Sequence, residues 1–246
     1  MPMSATEQAI EQFCAYFDRE IGEIARLAIA HDDGCSEPSS ASGTLYRKVL
    51  YVTMLDSLAG LRFNKKAFPE LHRQNRARFF RFVIEDCSWS EAELVSLPFL
   101  FQRLKEQSLD HCTLGQLVRE RISQFSTEDG GTVAASDMDE RASVLSKHAT
   151  TEEEKAAICE YQHIALLYRY RNRLVHESRE PGYAMEVFGE SAAPYYHSYV
   201  GDDAWYLGYP LAMFERLIRS GLDGFRSYLT TNSVDPYSLL DDAHRW

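Results

Sequence analysis

The sequence predicts an all-α fold, a helical bundle with one small β-hairpin near the C-terminus. Three observations lead to this reading. Apolar residues recur at spacings of three and four along most of the chain. Hydroxyl–carboxylate pairs that can satisfy free amides at a helix start precede several of these runs. Two short runs rich in aromatic residues, between about residues 195 and 209, flank a glycine and two aspartates. With 246 residues the chain is long enough for a sizeable core, and we read 1–246 as one domain.

The elements follow in order. Ile10, Cys14, Phe17, Ile21, Ile24 and Ala28 form one stripe, predicting a helix from Ala5 to about Ala30. The glycine- and serine-rich stretch up to Gly43 reads as a loop. Leu45, Val49, Leu50, Val52, Leu55, Leu58 and Ala59 then predict a helix from Thr44 to about Leu61, apolar nearly all round. Pro69 is suited to open a third helix that turns Leu71, Phe79, Phe82 and Val83 inward. Ser90 with Glu93, Ser96 before Pro98, and Thr113 with Gln116 read as further helix starts. The acidic run Asp137-Met-Asp-Glu140 reads as an exposed helix start rather than a metal site. Thr151 and Glu154 cap a long helix, expected to reach Ser178 over about 42 Å and to stop before Pro181-Gly182. Tyr195–Val200 and Trp205–Tyr209 are the hairpin strands, and Pro210 opens a last helix with Leu211, Phe214, Leu217 and Ile218 inward.

Composition narrows the function classes. Hydrophobic residues make up 45% and charged residues 26%, as in ordinary globular proteins. No apolar stretch is long enough to cross a bilayer, and the N-terminus lacks the basic start and apolar core of an export signal. The five cysteines are scattered without a Cys-x-x-Cys pair, so we expect reduced thiols, no zinc site and a cytoplasmic location. A net charge of −11 argues against nucleic-acid binding over the whole surface. One local exception is Arg62, Lys65, Lys66, Arg73, Arg76, Arg78 and Arg81, which could track phosphates or simply form a solvated face.

The run Tyr170-Arg171-Asn172-Arg173-Leu174-Val175-His176 puts guanidinium, amide and imidazole groups within one and a half turns. On the long predicted helix, Ile158, Tyr161, Ala165 and Tyr168 form a stripe whose continuation lands on Asn172 and His176. We therefore expect a polar pocket at the tail of an apolar seam, with Arg171 and Arg173 to either side and Arg169 seven residues before His176. A histidine and arginines near a helix C-terminus are also favoured by the helix dipole alone.

Arg171-Asn172-x-x-x-His176 at the end of a bundle helix resembles the signature of the HEPN superfamily, in which four to six residues separate Arg from His. Arg169 also fits the permitted spacing, so either arginine can be the catalytic one. The resemblance implies an endoribonuclease that needs no metal and no cofactor and acts on RNA as a homodimer with the two motifs facing each other. It implies 2′-hydroxyl attack on the adjacent phosphorus, with His176 as acid or base, Arg171 on the phosphate and Asn172 as an orienting group. Such RNases commonly serve as toxins or antiviral effectors, held by an antitoxin or another regulatory protein. Some paired with nucleotidyltransferase antitoxins carry Tyr two residues after the His; Ser178 stands there in this chain.

Asp56 occupies a face of the second helix where an apolar residue is expected, and would orient Arg169 or Arg171 or form an inter-helix ion pair. Arg173, Arg73, Arg76, Arg78 and Arg81 are the candidate RNA- or partner-binding residues. The hairpin aromatics could stack on unpaired bases or cover the edge of the bundle. The competing readings are a non-catalytic HEPN-like module for dimerisation and RNA or nucleotide binding, and a structural helical adaptor.

Overall fold

The structure, a computed structural model, describes residues 3–28, 40–128, 130–181, 186 and 192–240. It is mostly helical with a few short strands, as the sequence predicts. In chain order the elements are α1 (Ala5–Ala25), α2 (Ser40–Arg62), a 3-10 turn (Pro69–Leu71), α3 (Asn75–Glu85), β1 (Leu94–Val95), α4 (Leu97–Glu106) and α5 (Thr113–Ile122). There follow β2 (Gly131–Ala134), α6 (Ala135–Met138), β3 (Glu140–Arg141), α7 (Ala142–Leu145), α8 (Glu152–Glu160) and α9 (His163–Glu177). The chain continues with β4 (Tyr195–Ser198), β5 (Tyr206–Gly208), α10 (Leu211–Thr231) and a second 3-10 turn (Pro236–Leu239). No helix among the described residues is long and apolar enough to cross a membrane.

The backbone falls into two compact units, Met1–Trp89 with Leu174–Arg179 and Phe214–Trp246, and Ser90–Arg173 with Glu180–Met213. In the first unit α2 packs against α1 and α3. Ser4 caps α1 through a reciprocal bond with Glu7, and the helix ends at Ala25, short of the expected Ala30. Ile10, Phe13, Cys14, Ile21 and Ile24 face inward, whereas Ala28 is exposed. On α2, Tyr51, Val52, Leu55, Leu58 and Ala59 are buried, but Leu50 is 42% exposed. Pro69 opens only a 3-10 turn, and α3 begins afresh at Asn75 after Arg73 takes a left-handed φ of 61°. Where α10 crosses this core, a Cβ on Gly221 would stand 2.7 Å from the Phe82 ring. The missing side chain is what allows that close approach.

The second unit is built on Val95, Leu97, Leu100, Leu104, Leu114, Val118, Leu145, Ala157 and Ile158, from β1, α4, α5, α7 and α8. Ser96 caps α4 by accepting the Phe99 amide, and Pro98 sits in its first turn as expected. The Ser90–Glu93 pair opens no helix; the chain turns there so that Leu94 and Val95 can pair with Arg141 and Glu140. The hairpin forms, β4 pairing antiparallel with β5, with His197 opposite Tyr206. A strand absent from the sequence reading, β2, adds to its other edge, so the sheet order is β2-β4-β5.

One correction bears directly on the motif. The expected single helix from Thr151 to Ser178 is two helices, broken at Tyr161 and Gln162. At the break the backbone leaves the helical ladder to pair with a strand. Ser96 donates its amide to the Tyr161 carbonyl at 2.9 Å, Ile164 donates to Ala92 at 3.0 Å, and Val95 bridges to Gln162. The pairing satisfies backbone groups that an unbroken helix would otherwise have satisfied along its own axis.

Candidate functional site

The break resets which face of α9 points inward. His163, Leu167, Tyr170 and Leu174 are buried, at spacings of four, three and four. Tyr168 and Asn172 are half-buried and His176 is exposed. The seam from Ile158 does not run through the break, so Asn172 and His176 do not continue it and lie off the buried face of α9. α9 closes at Glu177, where Ser178 adopts a left-handed φ of 52°, three residues before Pro181.

On that face the motif side chains are ordered by helix geometry. Asn172 and His176 lie about 40° apart around the axis and about 6 Å apart along it. Arg171 is half-buried and its Nη1 donates to the Asn172 amide oxygen at 2.9 Å, while its guanidinium lies 5.7 Å from the Tyr168 ring. That bond holds the fork of Arg171 against its neighbour. Arg169 is otherwise engaged: Nη1 meets Glu160 Oε1 at 3.2 Å, Nη2 donates to the Glu160 carbonyl at 2.7 Å, and the guanidinium covers Tyr161 at 4.8 Å. Of the two arginines that match the spacing, Arg169 thus clamps the break. Arg173 is exposed. Asp56 is half-buried on α2 of the first unit, beside buried Val52, Leu55 and Ala59.

The basic cluster separates into two kinds of residue. Arg62 is almost wholly covered, its guanidinium 3.6 Å from the Tyr228 ring centre and its Nε 3.3 Å from Asp86. Burial pushes the Asp86 carboxyl upward, and the Arg62 charge opposes that push. Arg81 is half-buried, paired with Glu85 at 2.6 Å and resting on Phe63 and Phe68. Arg78 is half-buried and bonded to Asn75. Arg73 and Arg76 face solvent, Arg76 over the Phe80 ring at 4.9 Å.

Most hairpin aromatics cover the fold rather than face water: Tyr195, Tyr196, Trp205 and Tyr209 are all less than a tenth exposed. Tyr199 is 40% exposed and, with half-buried Tyr206, remains at the surface beside the His197 ring.

The polar centre that sequence reasoning missed lies inside the second unit. Asp139, read from sequence as part of an exposed acidic start, is 4% exposed. Its Oδ2 meets His163 Nε2 at 2.7 Å and the Tyr196 hydroxyl at 2.9 Å, and its Oδ1 accepts the Leu97 amide at 3.0 Å. His163 Nδ1 lies 3.0 Å from the Tyr209 hydroxyl, and the Tyr196 hydroxyl reaches Ser96 Oγ at 2.7 Å. With the proton on Nε2 every one of these bonds is satisfied, Nδ1 accepting from Tyr209. Burial, and then the charge of Asp139, push the Tyr196 and Tyr209 phenols well above their ordinary range. The group is sealed from water, so its role is to fix elements: it ties the first residue of α9 to α4, to the junction of α6 and β3, and to the sheet. A signal was present in the pairing of a lone His with Asp and Tyr, but nothing local marks them as neighbours.

No protein-family model matches the chain, and no curated protein or solved structure matches it either.

Proposed function

We propose that the chain is a HEPN-like endoribonuclease that cleaves RNA without a metal, by attack of a ribose 2′-hydroxyl on the adjacent phosphorus. The observation that carries this reading is the exposed end of α9, where Asn172 holds Arg171 and His176 stands one turn further on. Transesterification of this kind needs a base, an acid for the leaving 5′-oxygen and positive charge at the phosphorus. Imidazole is the side chain that can take either proton role near neutral pH. The Arg171 fork can give two hydrogen bonds to the phosphate oxygens.

A single imidazole cannot easily stand on both sides of the phosphorus. A homodimer with a two-fold axis supplies the second one, and His176 lies on the exposed side of the last turn of α9. The reading places the activity in the cytoplasm, as a toxin or defence effector under a regulatory protein. Exposed Arg73 and Arg76 suit an acidic inhibitor.

The test is incubation of the purified protein with labelled RNA in EDTA, beside His176→Ala and a DNA strand of the same sequence. Cleavage that survives chelation, leaves a 2′,3′-cyclic phosphate, spares DNA and disappears in the variant is the expected result. Cleavage of both strands at similar rates sinks the mechanism. Binding of RNA without cleavage selects the non-catalytic module instead.

A further inference from the structure

A cleft of about 360 Å³ opens in the second unit between α5 and the segment that runs from β3 through α7 to His148. Its floor is apolar: half-buried Leu117 and Val144 line it together with buried Leu97, Val118 and Leu145. Its walls are not. Glu120, Arg121 and Gln124 project from α5 and the residues after it at helical spacing, and Glu140 and His148 line the opposite side. A volume in this range suits a small ligand.

The charged groups here are unspent. Among the described residues, Glu120, Glu140, Arg121 and His148 share this one cleft, yet none is ion-paired with another. Arg121 gives one Nη2 bond to the Asp137 carbonyl at 3.3 Å, and its buried Nε donates to nothing. Glu140 accepts the Arg141 amide with one oxygen at 2.8 Å, which leaves the other available.

The balance of charge selects among ligand classes. A phosphate or dicarboxylate would find Arg121 but would also face two carboxylates. A diamine would find the carboxylates but would face a guanidinium. A small zwitterion avoids both conflicts. We propose that this cleft binds a free α-amino acid with an apolar side chain. Arg121 takes the carboxylate as a forked pair, Glu120 and Glu140 take the ammonium, and the side chain rests on half-buried Leu117 and Val144. The proposal stands apart from the RNase reading, since none of these residues belongs to the motif.

Calorimetric titration of the full chain with L-leucine and L-phenylalanine tests it, with N-acetyl-L-leucine and L-leucinamide as probes that each lack one charge. Leucine or phenylalanine is expected to bind, and each derivative of leucine to bind at least tenfold more weakly. Arg121→Gln and Glu140→Gln are each expected to weaken leucine at least tenfold, with melting curves of the free variants showing that they fold. No heat from either amino acid at millimolar concentration overturns the proposal. So does equal binding of leucine and leucinamide, or binding of adenosine or putrescine in their place. If a variant does not fold, the two derivatives decide the matter alone.

Discussion

Asp139 and His163 meet at 2.7 Å with neither side chain exposed to water, and together they hold the first turn of the helix that carries the Arg-Asn-His motif. Removing one partner of such a buried pair leaves the other uncompensated. Asp139→Ala also strips an acceptor from the Leu97 amide and the Tyr196 hydroxyl. We expect a loss of about 3–5 kcal/mol in urea unfolding. A loss below about 1 kcal/mol would mean that the pair is not the anchor it resembles.

Glu154 caps α8 and is buried. Burial raises its pKa, but bonds from the Cys112 thiol and from Thr151 and Thr150 outweigh it and bring it from 4.5 to about 2. A carboxylate depressed in the folded state adds stability that is fully present above its unfolded pKa and is lost as pH falls through the folded one. The stability difference between the native chain and Glu154→Gln is therefore expected to be constant above about pH 5 and to shrink between pH 4.5 and 2. Chemical unfolding at a series of pH values measures it, and a difference that does not change with pH refutes it.

Arg62 is set between the Tyr228 ring and Asp86, with Phe63 and Phe68 around it. Arg62→Ala removes both the stacking surface and the cation that holds a buried carboxylate, and should cost about 3–5 kcal/mol. Arg76→Ala, on the exposed side of α3, should change stability by no more than about 0.5 kcal/mol. Thermal melts of the two variants side by side test the division of this cluster into structural and solvent-facing residues.

If the RNase reading holds, the two candidate arginines separate in function. Arg171→Ala is expected to lower the cleavage rate by about 10²–10³-fold with little change in melting temperature, as when a donor to a developing charge is lost. Arg169→Ala should instead lower the melting temperature and keep cleavage near the native rate, because its bonds go to Glu160. The reverse pattern would assign the catalytic role to Arg169.

Much of the fold was legible from local signals, for clear physical reasons. Ser96 and Thr151 cap helices where hydroxyls precede apolar runs, and the hairpin forms where two aromatic-rich runs flank Gly201. The missed features depend on distant partners. Neither Gly nor Pro marks the break at Tyr161–Gln162; it arises because Ala92, Val95 and Ser96 compete for the same backbone groups. Asp139 looked like a solvent-facing acid because its partners stand 24 and 57 residues away in the chain. Lys48 is only 2% exposed within α2, where an apolar pattern gives no hint that a lysine belongs inside. The motif was legible as a string of residues. The face that carries it was not, since that face is set by the break.

That interruption also insulates the end of α9 that carries the Arg-Asn-His motif. In a continuous rod, one extra residue anywhere upstream would swing every later side chain by about 100°. Here α9 takes its rotational phase from the strand partner at Val95–Ser96. Insertions or deletions in α8 are absorbed before they reach Asn172 and His176, so length variation there can accumulate without re-aiming them.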